Sequence, residues 1–247
     1  MLRRPFLRAL CCAGLILAGA SASASGLQVA PVSLTLQAVQ RADGLWLSNT
    51  GTGKVHAQVR VYRWTQVDGT EQLTPSQELV ISPPMLGIEP GDRQLVRVIR
   101  IGAPPSGSGA AEAAYRLAID ELPVKDSGQK GLQFVLHYSV PVFVQPQGAA
   151  DAAPALHWTL QREGGHAVLV VSNSGTGHAQ LAEIDYVNQA GNRTAIAAGL
   201  LGYVLPGATM RWTLKQSATV FAGTGTLEAT INGAKATQTI SLADRAR

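Results

Sequence analysis

The stretch LWLSNTGTG at residues 45–53 returns as LVVSNSGTG at residues 169–177. Each is soon followed by a His-Ala-Gln triplet, His56–Gln58 and His178–Gln180. Farther on, Glu89-Pro90-Gly91 precedes the strand-like run DRQLVRVIRI, and Leu205-Pro206-Gly207 precedes ATMRWTL. Three matches in the same order, with a slowly shrinking offset, indicate two related modules that differ by small insertions and deletions. The Gly-Thr-Gly strings lack the strand–helix setting and the lysine of a phosphate loop, so hairpin turns are expected there.

Outward from these landmarks, short β-branched or aromatic segments alternate with Gly, Pro, Asn and Asp. Strands are expected over Leu27–Leu36, Gly44–Leu47, Ala57–Trp64, Gln94–Ile101, Tyr115–Leu122 and Leu132–Val144 in the first module. In the second they fall at Leu156–Gln161, Ala167–Val171, Ala179–Val187, Met210–Leu214, Thr226–Ile231 and Thr237–Leu242. Asp68-Gly69 and Gln189-Ala190-Gly191 are turn signals, and Gln147–Pro154 has linker composition. No amphipathic helix pattern follows the first residues. The expected fold is all-β: two immunoglobulin-like β-sandwich domains, residues 25–146 and 155–247, joined by the linker 147–154.

Residues 1–24 read as a secretory signal peptide. Arg3, Arg4 and Arg8 precede an apolar run from Ala9 to Ala20 and an Ala-x-Ala site, with cleavage expected after Ala24. The run is too short for a comfortable membrane span, and no later segment is long enough, so no membrane insertion of the mature chain is expected. Both cysteines, Cys11 and Cys12, leave with the signal. Loss of the three arginines takes the formal charge from +4 to +1, which implies no nucleic-acid partner.

Catalytic constellations are missing from the pattern. His56, His137, His157, His166 and His178 show no ligand spacing, and the mature chain offers no thiol, so no metal or cofactor is expected. There is no Gly-x-Ser-x-Gly elbow. Asp120 and Glu121 are adjacent, so on a strand they face opposite ways. The reading is of a non-enzyme.

The segment GLQFVLHYSVPVFVQP at residues 131–146 carries the functional signal. Leu132, Phe134, Leu136 and Tyr138 alternate with Gln133, Val135, His137 and Ser139, giving a strand with apolar groups on both faces. Pro141 and Pro146 suit a sheet edge. Monomeric proteins usually suppress a hydrophobic edge strand; left open, it is a surface for adding a strand from another chain. The same residues also suit the last strand of a thick sandwich core.

Together with LWLSNTG (45–51), RVYRWTQVDGTEQL (60–73), ISPPMLGIEPGDRQLVRV (81–98) and YRLAIDELP (115–123), these features resemble the periplasmic pilus-assembly chaperones of the chaperone–usher pathway. The details are most similar to the archaic, Csu-type branch. The resemblance implies location in the periplasm of a Gram-negative bacterium, two sandwiches set at an angle with a cleft between them, and donor-strand complementation. The chaperone would lend a strand to a pilus subunit, pilin or tip adhesin, and deliver it to an outer-membrane usher. By register, Leu132, Phe134, Leu136 and Tyr138 would plug the subunit, and Val135 would face the module's own core. The loop Pro123–Lys130 would be better protected when a subunit is bound.

The family's basic pair for the subunit carboxylate matches Ser33 and Pro141 here, so Arg93 and Arg97 become the candidate anchors. Gln145 stands where the family has an arginine paired with the acidic residue matching Glu121. A second class stays open: an export-linked immunoglobulin-like binding module without chaperone activity. Neighbouring genes for an usher and small secreted subunits would separate the two.

Overall fold

The computed structural model describes residues 26–123, 135–148 and 152–244. The first module contains β1 (Leu27–Ala30), β2 (Leu34–Leu36), β3 (Ala42–Asn49), β4 (Val55–Val67), β5 (Thr70–Pro75), β6 (Leu79–Ser82), β7 (Met85–Ile88), β8 (Arg93–Arg100), β9 (Ala113–Leu122) and β10 (His137–Val144). One sheet has the order β1-β3-β8-β6; the other runs β2-β10-β9-β4-β5, with β7 also paired to β4. Alternation decides which side chains meet between them. On β8, Val96 and Val98 are buried while Arg93 and Arg97 stand exposed. Leu45, Leu47, Leu117, Ile119 and Val142 join them in the core. Burial of each such side chain contributes roughly 1.5–3 kcal/mol.

The single strand expected over Leu27–Leu36 is broken at Pro31. β1 pairs with β3 in one sheet, and β2 pairs in parallel with β10 in the other. The chain therefore crosses between sheets where proline denies a ladder donor.

The second module contains β11 (Leu156–Glu163), β12 (His166–Asn173), β13 (Ala179–Asn188), β14 (Arg193–Val204), β15 (Thr209–Ser217), β16 (Thr224–Ile231) and β17 (Ala234–Asp244), with a one-turn 3-10 segment at Ala218–Phe221. Its strands follow the path β14-β13-β16-β17-β11-β12-β15. Leu169, Val171, Leu181, Ile184, Tyr186, Phe221 and Leu227 fill its centre.

The repeated strings are not hairpins. Residues 50–54 carry the chain from β3 in one sheet to β4 in the other, and the matching turn links β12 to β13, which are not neighbours. A buried asparagine shapes each arch. Asn49 donates its amide to Gly53 O (2.8 Å) and Ile88 O (3.0 Å) and accepts from Gly51 N (2.9 Å). Asn173 donates to Gly177 O (2.8 Å) and Val204 O (3.0 Å) and accepts from Gly175 N and Ala155 N, both at 3.0 Å. Even the main chain repeats. Asn49 N bonds Asp92 O and Gly91 N bonds Asn49 O, while Asn173 N bonds Ala208 O and Gly207 N bonds Asn173 O. The two modules are thus alike in hydrogen bonding as well as in sequence.

Candidate functional site

β10 is sealed on one side only. It pairs with β9 over its whole length, from His137 opposite Asp120 to Val144 opposite Ala113. On the other side it meets β2 only at Val142–Val144. From His137 to Pro141 that second side has no strand among the described residues. Glu121 N donates to Leu136 O at 2.9 Å, so the even-numbered residues turn their main chain toward β9. Hydrogen-bonded and non-bonded pairs alternate in an antiparallel ladder. The backbones of His137, Ser139 and Pro141 therefore point at the open edge, and Gln145 N, in the same phase, reaches Leu36 O on β2 at 2.9 Å. Pro141 costs β10 no bond to β9, which is why a proline is accommodated here.

The side chains add a second asymmetry. Val140, Val142 and Val144 are buried in the first module's core, and Tyr138 and Leu136 pack half-buried at its margin. The apolar stripe runs off the end of the module's own core beside the open edge. Tyr138 Oη donates to Leu27 O at 2.5 Å. Burial pushes the Tyr138 phenol pKa up, and the charge of Glu121 adds to it.

The expectation that Val135 faces the module's own core is corrected. Val135 is 50% exposed, because the even-numbered residues occupy the inner face throughout β10. Leu132, Phe134 and the loop residues 124–130 lie outside the described residues.

The outer face beside the edge is polar. His137 Nδ1 lies 2.6 Å from Asp120 Oδ1, and Arg60 donates to Asp120 Oδ2 at 2.6 Å. Partial burial acts to raise the Asp120 pKa, but hydrogen bonds from His137 and Arg60 outweigh it and hold the carboxyl below its ordinary range. Arg93 and Arg97 are elsewhere: both project from the outer face of β8, in the other sheet, and the Arg93 guanidinium lies 4.5 Å from the centre of the Trp46 ring. The structure does not bring them to β10. Besides Arg60, register brings a cation there in Arg116, directly opposite Pro141. Its guanidinium rests 3.7 Å from the Trp64 ring centre, with Glu71 3.8 Å away. Burial lowers its pKa.

Beyond Pro141, the outward side of β10 meets the second module. The Phe143 ring stacks on His178 at 3.5 Å and 3°, and Trp64 meets Tyr203 edge-on at 5.3 Å. Glu112 is buried in this joint. Its carboxylate accepts from the His178 backbone N (2.6 Å) and from Gln145 Nε2 (3.1 Å), with His178 Nδ1 2.7 Å away. Gln66 completes the joint by donating to Tyr203 O and accepting from Leu205 N. Gln145 thus contacts Glu112, whereas Glu121 accepts from Leu136 N. The sequence placed His178 in the repeat and Trp64 on a strand, but the joint that they form with Glu112 and Gln66 carried no signal, since each depends on a partner far along the chain.

Comparison with known proteins agrees with this geometry. Among curated proteins no relative matches the chain. Of solved structures, the chaperone–tip adhesin subunit pre-assembly complex CsuC–CsuE, from the archaic chaperone–usher Csu pili of Acinetobacter baumannii, superposes with a TM-score of 0.68 at 24% identity, covering 88% of this chain and 99% of that one. The Salmonella enterica SafA pilin–SafB chaperone complex gives 0.60 at 17%, covering 88% and 95%. The Pseudomonas aeruginosa chaperone CupB2 gives 0.57 at 17%, covering 87% and 100%. Residues 26–150 match the family described as pili and flagellar-assembly chaperone, PapD N-terminal domain. With an open β10 edge, two immunoglobulin-like sandwiches and that match over half its length, the chain belongs to the family of pilus-assembly chaperones.

Proposed function

We propose that this chain acts in the periplasm, after removal of residues 1–24, by lending β10 and the residues before it to a pilus subunit and passing that subunit to an outer-membrane usher. The observation that carries the reading is the inner stripe Val144, Val142, Val140, Tyr138, Leu136, which leaves the module's own core beside an edge that has no strand partner among the described residues. A partner strand laid on that edge gains main-chain hydrogen bonds, and the stripe continues into the partner's interior. Leu132, Phe134, Leu136 and Tyr138 are the proposed plugs. Binding, not bond-making, is the activity.

The test is co-expression with a pilus subunit encoded beside the gene. A soluble one-to-one complex is expected, together with an exported chaperone whose intact mass begins near Ser25. An insoluble subunit unaffected by the chaperone would overturn the proposal.

A further inference from the structure

The second module carries a seam of the same construction. In the first module the last strand, β10, meets β2 in parallel over three residue pairs, Val142–Val144 with Leu34–Leu36. In the second, the last strand β17 meets β11 in parallel over three pairs, Leu160–Arg162 with Leu242–Asp244. Before those pairs the two strands diverge. Among the described residues, Ala234–Ser241 of β17 is paired on the β16 side alone, and Leu156–Thr159 of β11 on the β12 side alone. A groove of about 240 Å³ opens into the core between them; Leu156, Trp158, Leu227, Ala229, Ile231 and Ala236 give it an apolar floor, and Pro154, Thr237 and Gln238 complete its wall.

This edge carries little of the usual protection beyond one lysine. β14, at one end of the sheet path, pairs with β13 through three register irregularities, and such bulges twist an edge away from strangers. β17 pairs with β16 without a break from Ile231–Ala234 to Thr224–Ser241, and this stretch contains no proline. Between Ala234 and Ser241 the one charge on β17 is Lys235, which Glu183 holds at 2.6 Å. The groove lining contains no charged side chain.

We propose that this seam is a second strand-accepting site, and that it takes an extended, uncharged polypeptide segment of a partner protein bearing a large apolar side chain. Only a polypeptide matches a row of main-chain donors and acceptors beside a side-chain pocket, and the uncharged lining excludes a charged anchor. The occupant's backbone adds to β17, and its apolar side chain enters the groove against Trp158.

The test is independent of chaperone activity, since no subunit takes part. The purified protein is titrated with an acetylated, amidated nonapeptide, TVSLTFSVT, and followed by two-dimensional amide NMR. Saturable shifts are expected at Ala234–Ser241 and Leu156–Thr159. They should be absent with TVSDTDSVT, and binding should weaken at least tenfold in Ala236→Glu, whose own spectrum reports whether it folds. Amide exchange in the unmutated protein gives a second readout: the β17 edge should slow when the peptide is added. The proposal is overturned by unchanged seam signals at millimolar peptide, or by shifts confined to β10. A concentration-dependent dimer showing the same shifts without peptide assigns the seam to a second copy and equally overturns it.

Discussion

Asn173 holds four backbone groups with one side chain, and Asn49 does the same work with three in the other module. Replacing either by alanine leaves buried donors and acceptors unpaired. Each such group costs about 1–3 kcal/mol, so Asn173→Ala should lower the denaturant midpoint by at least that equivalent, with m unchanged. An unaltered midpoint would show that the arch holds without its side chain. Asp120 makes a different kind of contribution. Its folded pKa is depressed, so its stabilisation is present above the unfolded value and is lost as pH falls through the folded one. The acid limb of stability below about pH 4 should flatten in Asp120→Asn, as unfolding curves at several pH values would show. The asparagines were legible as strings, but their tasks were not, because Ile88 and Val204 lie far along the chain. Glu112 was invisible for the same reason: its partner His178 is 66 residues away.

At the scale of elements, period-two alternation located the strands that bury one face. β8, β9, β12 and β13 fall close to where alternation placed them. It failed where burial is not one-sided or the strand is too short to show a period. β5 is exposed along its whole length, β6 and β7 are short and parted by Pro83-Pro84, and the pairing of β14 slips three times, breaking the period. β10 shows the limit most sharply. The sequence separated its two faces correctly but assigned the wrong one to the module's interior, because a stripe that leaves the core still shares parity with the part inside it. The consequence is testable by substitution. Phe134→Asp should abolish subunit recovery while circular dichroism stays native, since a charge in the subunit's core is costly unless paired. Val135→Asp, on the exposed face, should leave the fold intact and capture at least partly preserved. Unfolding by Val135→Asp would return that residue to the interior and refute the register.

Across the whole molecule, the duplication announced two modules, but nothing in it showed how they join. Trp64, Ala114 and Phe143 of the first module are buried in the same cluster as the second module's core. Phe143→Ala removes a stacked ring from this joint, and the expected loss is about 3–5 kcal/mol. Calorimetry should then resolve two transitions, whereas the parent protein, with the joint intact, should show one. A single transition persisting in the variant would mean that Glu112 and Gln66 hold the joint alone.

On the proposed function β10 would answer to three neighbours at once: the first core through Val140, Val142 and Val144, the second module through Phe143, and a subunit strand along the edge that is open among the described residues. Strand capture and joint rigidity would then share one element, and any coupling between them would be reciprocal. Whatever loosens the joint must weaken capture by the same factor by which capture stiffens the joint. Affinity for a subunit would accordingly be tunable by substitutions at the joint that never touch the subunit.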